Sequence, residues 1–232
     1  MMNTSTLTTH DITRSYGSVK ALAGVSVTIP AGQSVAIMGP SGSGKSTLLH
    51  CLSGVLTPDS GSVIFDGREL SGLSDTERSH LRLRDFGFVF QDGQLIPELT
   101  ARENVALPLM LTGTRRAVAL RRADDLLERL ALHQLRTRHP AEMSGGQAQR
   151  VAVARALAAE PKVIFADEPS GALDQATGHE MMQLLTATAA QLGASLVIVT
   201  HDPGVARWCS RLVEIRDGLI HADRALDLEV SR

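Results

Sequence analysis

The sequence predicts an α/β fold: a mostly parallel sheet, an antiparallel β-subdomain at the N-terminus and an inserted α-helical subdomain. Three observations carry this prediction. Lys162-Val163-Ile164-Phe165-Ala166 and Ser195-Leu196-Val197-Ile198-Val199 are continuous apolar runs, as expected of parallel strands buried on both faces. Ser34-Val35-Ala36-Ile37-Met38 is a short apolar run leading straight into a Gly-rich loop and then a helical pattern. From 100 to 160 the period becomes helical, which places an insertion at roughly 93–160.

The remaining elements follow in order. Residues 5–14 and 22–29 alternate well enough to be strands, joined by a turn around Tyr16-Gly17-Ser18. Pro30-Ala31-Gly32 turns the chain into the 34–38 strand, and a helix is expected from Lys45 to about Ser53, ended by Gly54. Pro58-Asp59-Ser60-Gly61 reads as a turn, and Ser62-Val63-Ile64-Phe65 as a strand closing on the Asp66-Gly67 turn. The charged stretch 74–84 reads as a helix and Gly87-Phe88-Val89-Phe90 as a core strand ending at Gln91. Within the insertion Val118, Leu120, Ala123, Leu126, Leu127, Leu130 and Leu132 trace one apolar stripe, with Arg121, Arg122, Asp124 and Asp125 off it. Val151 to Ala159 is an Ala-rich helix stopped by Pro161, and 176–192 is the helix between the last two apolar strands. One domain, 1–232, is expected, with a core and β-subdomain at 1–92 and 161–221, a helical subdomain at 93–160 and a tail at 222–232.

Composition sets limits on function. The 232 residues suffice for one well-buried α/β domain, and 43% apolar with 21% charged residues is an ordinary globular balance. With 23 basic and 25 acidic side chains the net charge is −2, so no global field attracts nucleic acid or an anionic membrane. Cys51 and Cys209 form no CxxC pair and fit a reducing compartment as small buried side chains. No apolar run approaches the ~18 residues of a membrane span, and the first ten residues lack the features of a secretory signal. The scattered His10, His50, His80, His133, His139, His179 and His221 have no metal-ligand spacing.

Two clusters carry chemistry. Gly39-Pro40-Ser41-Gly42-Ser43-Gly44-Lys45-Ser46-Thr47 matches the phosphate-binding loop in full, between a strand and a helix, and so defines a P-loop NTPase core. Its glycines let backbone N–H groups wrap a phosphate at a helix N-terminus; Lys45 would reach the β- and γ-phosphates and Ser46 would coordinate Mg²⁺. Asp167 ends an apolar strand and Glu168 follows directly. An ionised pair there needs a cation or a water network to satisfy it. Asp167 fits a Mg²⁺ ligand acting through water, and Glu168 the residue that polarises an attacking water.

With these, the sequence resembles the ATP-binding-cassette ATPases over nearly its whole length. Met143-Ser144-Gly145-Gly146-Gln147-Ala148-Gln149-Arg150 resembles the family signature, whose Ser144, Gly145, Gly146 and Gln147 positions clamp the γ-phosphate of ATP held by a partner subunit. Gln91 resembles the Q-loop glutamine, which senses the γ-phosphate through Mg²⁺ and abuts the membrane subunit. Ser170-Gly171-Ala172-Leu173-Asp174 resembles the D-loop, which crosses the dimer interface, and His201 the histidine that contacts the γ-phosphate and the catalytic glutamate. Tyr16, 23 positions before Gly39, suits the adenine-stacking aromatic. Met143 stands where leucine is usual and Ala148 where a second glutamine is frequent; neither change removes a phosphate contact.

The resemblance implies a homodimer that binds two Mg·ATP, with Glu168, His201 and Gln91 as catalytic residues. It places the protein at the cytoplasmic face of the cell membrane through a permease, with no nucleic-acid partner. Residues 88–91, 95–109 and Ala166-Asp167-Glu168-Pro169-Ser170-Gly171-Ala172-Leu173-Asp174 look like the branch of macrolide-export, lipoprotein-release, antimicrobial-peptide-resistance and cell-division ATPases, whose permeases are of the long-extracytoplasmic-loop type. Leu95, Ile96 and Leu99 are expected to be exposed as part of a docking groove for a permease helix. Export and control of cell-wall hydrolases are both compatible with this branch; a soluble cassette acting on nucleic acid would need coiled-coil or zinc insertions, or a second cassette.

Overall fold

The computed structural model describes residues 6–226. In chain order its strands are β1 (Leu7–Tyr16), β2 (Val19–Ile29), β3 (Ser34–Met38), β4 (Ser60–Phe65), β5 (Arg68–Glu69), β6 (Phe86–Phe90), β7 (Val163–Asp167), β8 (Ser195–Val199), β9 (Arg211–Arg216) and β10 (Leu219–Ala225). Its helices are α1 (Lys45–Leu52), α2 (Asp75–Asp85), α3 (Ala101–Leu111), α4 (Arg116–Arg129), α5 (Gly145–Leu157), α6 (Gln175–Leu192) and α7 (Pro203–Ala206).

Two sheets result. An antiparallel sheet runs β2-β1-β4-β5, and a second runs β10-β9-β3-β8-β7-β6. In the second, β9, β3, β8, β7 and β6 are parallel and β10 pairs antiparallel at the edge. Buried Leu48, Leu49 and Leu52 of α1 fill the space between the sheets, meeting Leu22 and Phe65 on one side and Ile37, Phe165 and Val199 on the other. Phe65, Phe86 and Phe165 stack edge-to-face there, at 4.8 and 5.2 Å between successive ring centroids.

α5 is buried along most of its length because it serves two cores. Val153, Ala156 and Leu157 pack with β7, β8 and α6, while Val151 and Ala154 join α3, α4 and Leu135 in a third cluster. The buried line of α4 is Ala119, Ala123 and Leu127, with Val118 and Leu120 only half-buried, so the stripe is narrower than expected.

Several expectations require correction. Tyr16 closes β1 and is not part of the turn, and Ser60 and Gly61 belong to β4. α5 begins at Gly145, six residues before Val151, because Ser144 and Gln147 form a reciprocal capping box there. Of the expected tail, 222–225 lie in β10, fixed by the two-pronged bond of Arg211 to Asp223 at 2.7 and 2.6 Å. Residues 227–232 lie outside the described residues.

Candidate active site

β3 delivers the chain to the Gly-rich loop and α1 leaves it, as the sequence requires. A Cβ at Gly39 would lie 2.1 Å from the Ile215 carbonyl oxygen; one at Gly44, whose φ is 102°, would lie 2.1 Å from that of Ala21. Both separations are impossible for a side-chain carbon, so the backbone at these two positions admits glycine alone. Gly44 begins α1 without a side-chain cap, which leaves the first helical N–H groups directed at the loop. Lys45 Nζ donates to the carbonyls of Gly39 and Pro40, both at 2.9 Å, and so spans the loop from within. Ser41 and Gly42 are exposed at its crest, while the buried Ser43 hydroxyl has no partner among the described residues.

The carboxylates reach this loop from the C-terminal end of β7, which β8 separates from β3. The Ser46 hydroxyl, on the first turn of α1, donates to Asp167 Oδ1 at 3.4 Å. Burial pushes the Asp167 carboxyl above its usual range, partly offset by that hydrogen bond. Glu168 is a non-glycine residue at φ 46°, a left-handed conformation held by its N–H donating to the Val199 carbonyl at 2.9 Å. Both its oxygens are tethered: Oε1 lies 2.7 Å from His201 Nδ1, and Oε2 accepts from the Thr200 hydroxyl at 3.1 Å. Thr200 was not singled out by the sequence, and a lone threonine at a strand end offers no motif by which to find it.

Other expected residues surround this centre. The Gln91 amide lies against Gly171, with Nε2 3.1 Å from where a Cβ there would stand. Asp174 caps α6: Oδ1 accepts from the backbone of Ala176 and Thr177, and Oδ2 from the Thr177 hydroxyl at 2.6 Å. These bonds, the Thr177 hydroxyl foremost, hold the Asp174 carboxyl below its usual range. A Cβ at Gly146 would strike Thr177 Cγ2 at 2.4 Å, so the tip of α5 rests on the start of α6. Ser144 and Gly145 are exposed, and among the described residues no hydrogen bond joins 144–147 to 39–47. Tyr16 is 48% exposed. The Arg14 guanidinium stands 5.4 Å from its ring centre, itself held by Asp59 at 2.6 Å. Thus the loop, Asp167, Glu168 and His201 converge, whereas Tyr16, Ser144 and Gly145 are exposed.

Beside Gln91 lies a largely apolar groove of about 470 Å³, whose lining includes Val55, Leu83, Phe88, Phe90, Pro108 and Ala156. Of the three side chains expected to be exposed, only Ile96 is; Leu95 and Leu99 are half-buried. Fully buried Asn104 explains this. Its amide donates to the carbonyls of Ile96 and Leu99, both at 3.0 Å, and its oxygen accepts from Ile96 N–H at 2.8 Å, folding the segment inward.

Comparison with known proteins agrees with this geometry. The family model described as ABC transporter matches residues 22–171. The macrolide export ATP-binding/permease protein MacB of Marinobacter nauticus is 45% identical over 222 residues, covering 94% of this chain and 34% of that protein. The lipoprotein-releasing system ATP-binding protein LolD of Geobacter metallireducens is 43% identical over 223 residues, covering 94% of this chain and 99% of that one. The chain therefore spans about a third of the MacB relative and nearly all of the LolD relative. Among solved structures, the dimeric bacterial ABC transporter cassette MJ0796 superposes with a TM-score of 0.87 at 40% identity, covering 95% of this chain and 99% of that chain. The same cassette in a post-hydrolysis dimer bound to ADP and Pi gives 0.86 at 39% identity, with the same coverage of both chains. A strand–loop–helix phosphate cradle with a tethered glutamate, on a fold shared throughout with these cassettes, makes this chain a member of the ABC transporter family and an ATP-hydrolysing enzyme.

Proposed function

We propose that this cassette powers a membrane permease of the lipoprotein-release and macrolide-export kind, two copies closing around two molecules of Mg·ATP. The observation that carries the reading is the split site. Lys45, Ser46, Asp167, Glu168 and His201 converge at the strand ends, while the capped tip of α5 at Ser144 is exposed and, among the described residues, has no hydrogen bond to the phosphate-binding loop. A second copy supplies that partner in this reading, and the similar cassette MJ0796 is itself dimeric.

In this reading the N–H groups of 42–47 and Lys45 hold the β- and γ-phosphates, Lys45 exchanging its bonds to Gly39 and Pro40 for phosphate oxygens. The Ser46 hydroxyl and Asp167 carboxylate are hard oxygen donors facing one another, and they suit Mg²⁺. When bound, that ion neutralises charge on the phosphates. Glu168, fixed at both oxygens, accepts a hydrogen bond from the attacking water and then its proton. His201 holds that carboxylate and reaches the γ-phosphate, Gln91 reports on the ion, and Tyr16 stacks on adenine with Arg14 bracing its ring. From the second copy, Ser144, Gly145, Gly146 and Gln147 close on the γ-phosphate, with Asp174 shaping the segment at the interface.

The groove beside Gln91 is the seat of the permease, of the long-extracytoplasmic-loop type, and holds the cassette at the cytoplasmic face of the membrane. Its apolar wall and its continuity with Phe90 support this. The test is Leu83→Asp in a cassette co-expressed with its candidate permease. The variant is expected to keep ATP turnover as a free cassette and to lose co-purification with the permease. Recovery of the complex at the unsubstituted yield would overturn the docking assignment.

A further inference from the structure

One buried side chain of α5 joins the segments of the active site and has no place in the roles above. Gln149, 2% exposed, donates from Nε2 to the carbonyl of Phe90 and to that of Pro169, both at 2.8 Å. Phe90 immediately precedes Gln91, and Pro169 immediately follows Glu168. A single amide thus ties the helix that begins after Ser144 to the residue before one site group and the residue after another. Gly93 closes over it: its N–H donates to the same Phe90 carbonyl at 3.0 Å, and a Cβ there would stand 3.2 Å from Gln149 Oε1. Two turns further on, Arg155 donates to the carbonyls of Gly93 and Gln94 at 2.8 and 2.5 Å, so the segment 90–94 is fastened to α5 along its length.

Gln149 lies five residues from Ser144, about 7.5 Å along the helix at ~1.5 Å per residue. Over so short a lever, the point where Gln149 is held sets where the tip of α5 lies. We infer that Gln149 is a positioning residue: it sets the Ser144–Gly146 tip relative to Gln91 and Glu168 of its own chain. The nucleotide state of one site thereby governs how that chain presents its tip to the other. This inference rests on the two-copy reading.

Gln149→Met keeps the length and removes both donors; Gln149→His restores one through Nε2–H. The measurements are binding of a fluorescent ATP analogue, kcat and KM for ATP, and ATP-driven dimerisation of each variant in a Glu168→Gln background. Gln149→Met is expected to bind nucleotide within about twofold of the parent. Its kcat and dimerisation should fall on the order of tenfold, as when a buried carbonyl such as that of Pro169 is left without its donor. Gln149→His should recover part of both, and it carries the same comparison should the methionine variant not fold. Unchanged kcat and dimerisation would overturn the inference, as would a loss of nucleotide affinity equal to the loss of kcat, or no recovery by histidine. A Glu168→Gln parent that itself stays monomeric with ATP would instead overturn the two-copy reading.

Discussion

Thr200→Val is the perturbation that most sharply probes how Glu168 is aimed. Thr200 is 1% exposed, and valine fills nearly the same space, so packing is kept while the hydroxyl is lost. That hydroxyl donates to Glu168 Oε2 at 3.1 Å and accepts the Asp202 N–H at 3.1 Å. A hydrogen bond to a charged acceptor contributes about 1.5–3 kcal/mol, and each ~1.4 kcal/mol is a factor of ten in rate. Full transmission to the transition state would lower kcat by about ten- to hundredfold. Because His201 still holds Oε1 at 2.7 Å, the lower part of that range, about ten- to thirtyfold, is expected. Thr200 has no hydrogen bond to 39–47 among the described residues, so KM should change by less than about twofold. Phosphate release measured across ATP concentrations separates the two parameters. A kcat within about twofold of the parent, or a KM that rises as far as kcat falls, would refute the claim that Thr200 orients the glutamate.

Asp167→Asn should raise the melting temperature of the nucleotide-free protein at pH 7 while abolishing turnover. With its folded pKa raised by burial, the ionised Asp167 costs stability that grows as pH rises through the carboxylate range, so the gain should close as pH falls toward about 4. A lower melting temperature at pH 7 would contradict this. Asp223→Asn should act in the opposite sense. Arg211's hydrogen bonds depress the Asp223 pKa, so the stability it adds is full above the unfolded value of about 3.9 and is lost as pH falls through the lower folded value. The variant should melt below the parent at pH 7, by a gap that narrows in acid; a gap independent of pH would count against the pair. Leu127→Ala empties a fully buried place in the third core cluster and should cost about 2–5 kcal/mol by chemical denaturation. A loss under about 1 kcal/mol would show that this cluster relaxes around the deletion.

What the sequence made legible follows from where chemistry is local. β7 and β8 are continuous apolar runs because helices or a second sheet cover both faces, and the loop at 39–47 is defined by a spacing that survives in one dimension. The start of α5 was hidden because two glycines suppress helix propensity, although Ser144 and Gln147 spell a capping box. β9 and β10 are not continuous apolar runs, since Arg211, Glu214, Asp223 and Arg224 interrupt them, and their signal in the sequence is the hairpin turn Asp217-Gly218, with φ of 48° and 73°. Other features are not local at all. Leu95 and Leu99 turn inward because Asn104, several residues on, collects the carbonyls of that segment. Gln149 meets Phe90 across 59 positions of sequence, and Thr200 meets Glu168 across 32, which only the fold reveals.

The central claim is a site completed by a second copy, and Glu168→Gln tests it most directly. The glutamine keeps size and position but removes the charge that takes the water's proton, so ATP should bind without being consumed. Light scattering coupled to gel filtration, with ATP and Mg²⁺, should then show a dimer holding two nucleotides, and a monomer when Ser144→Arg is added at the exposed tip of α5. A Glu168→Gln protein that binds ATP and remains a monomer would contradict the account.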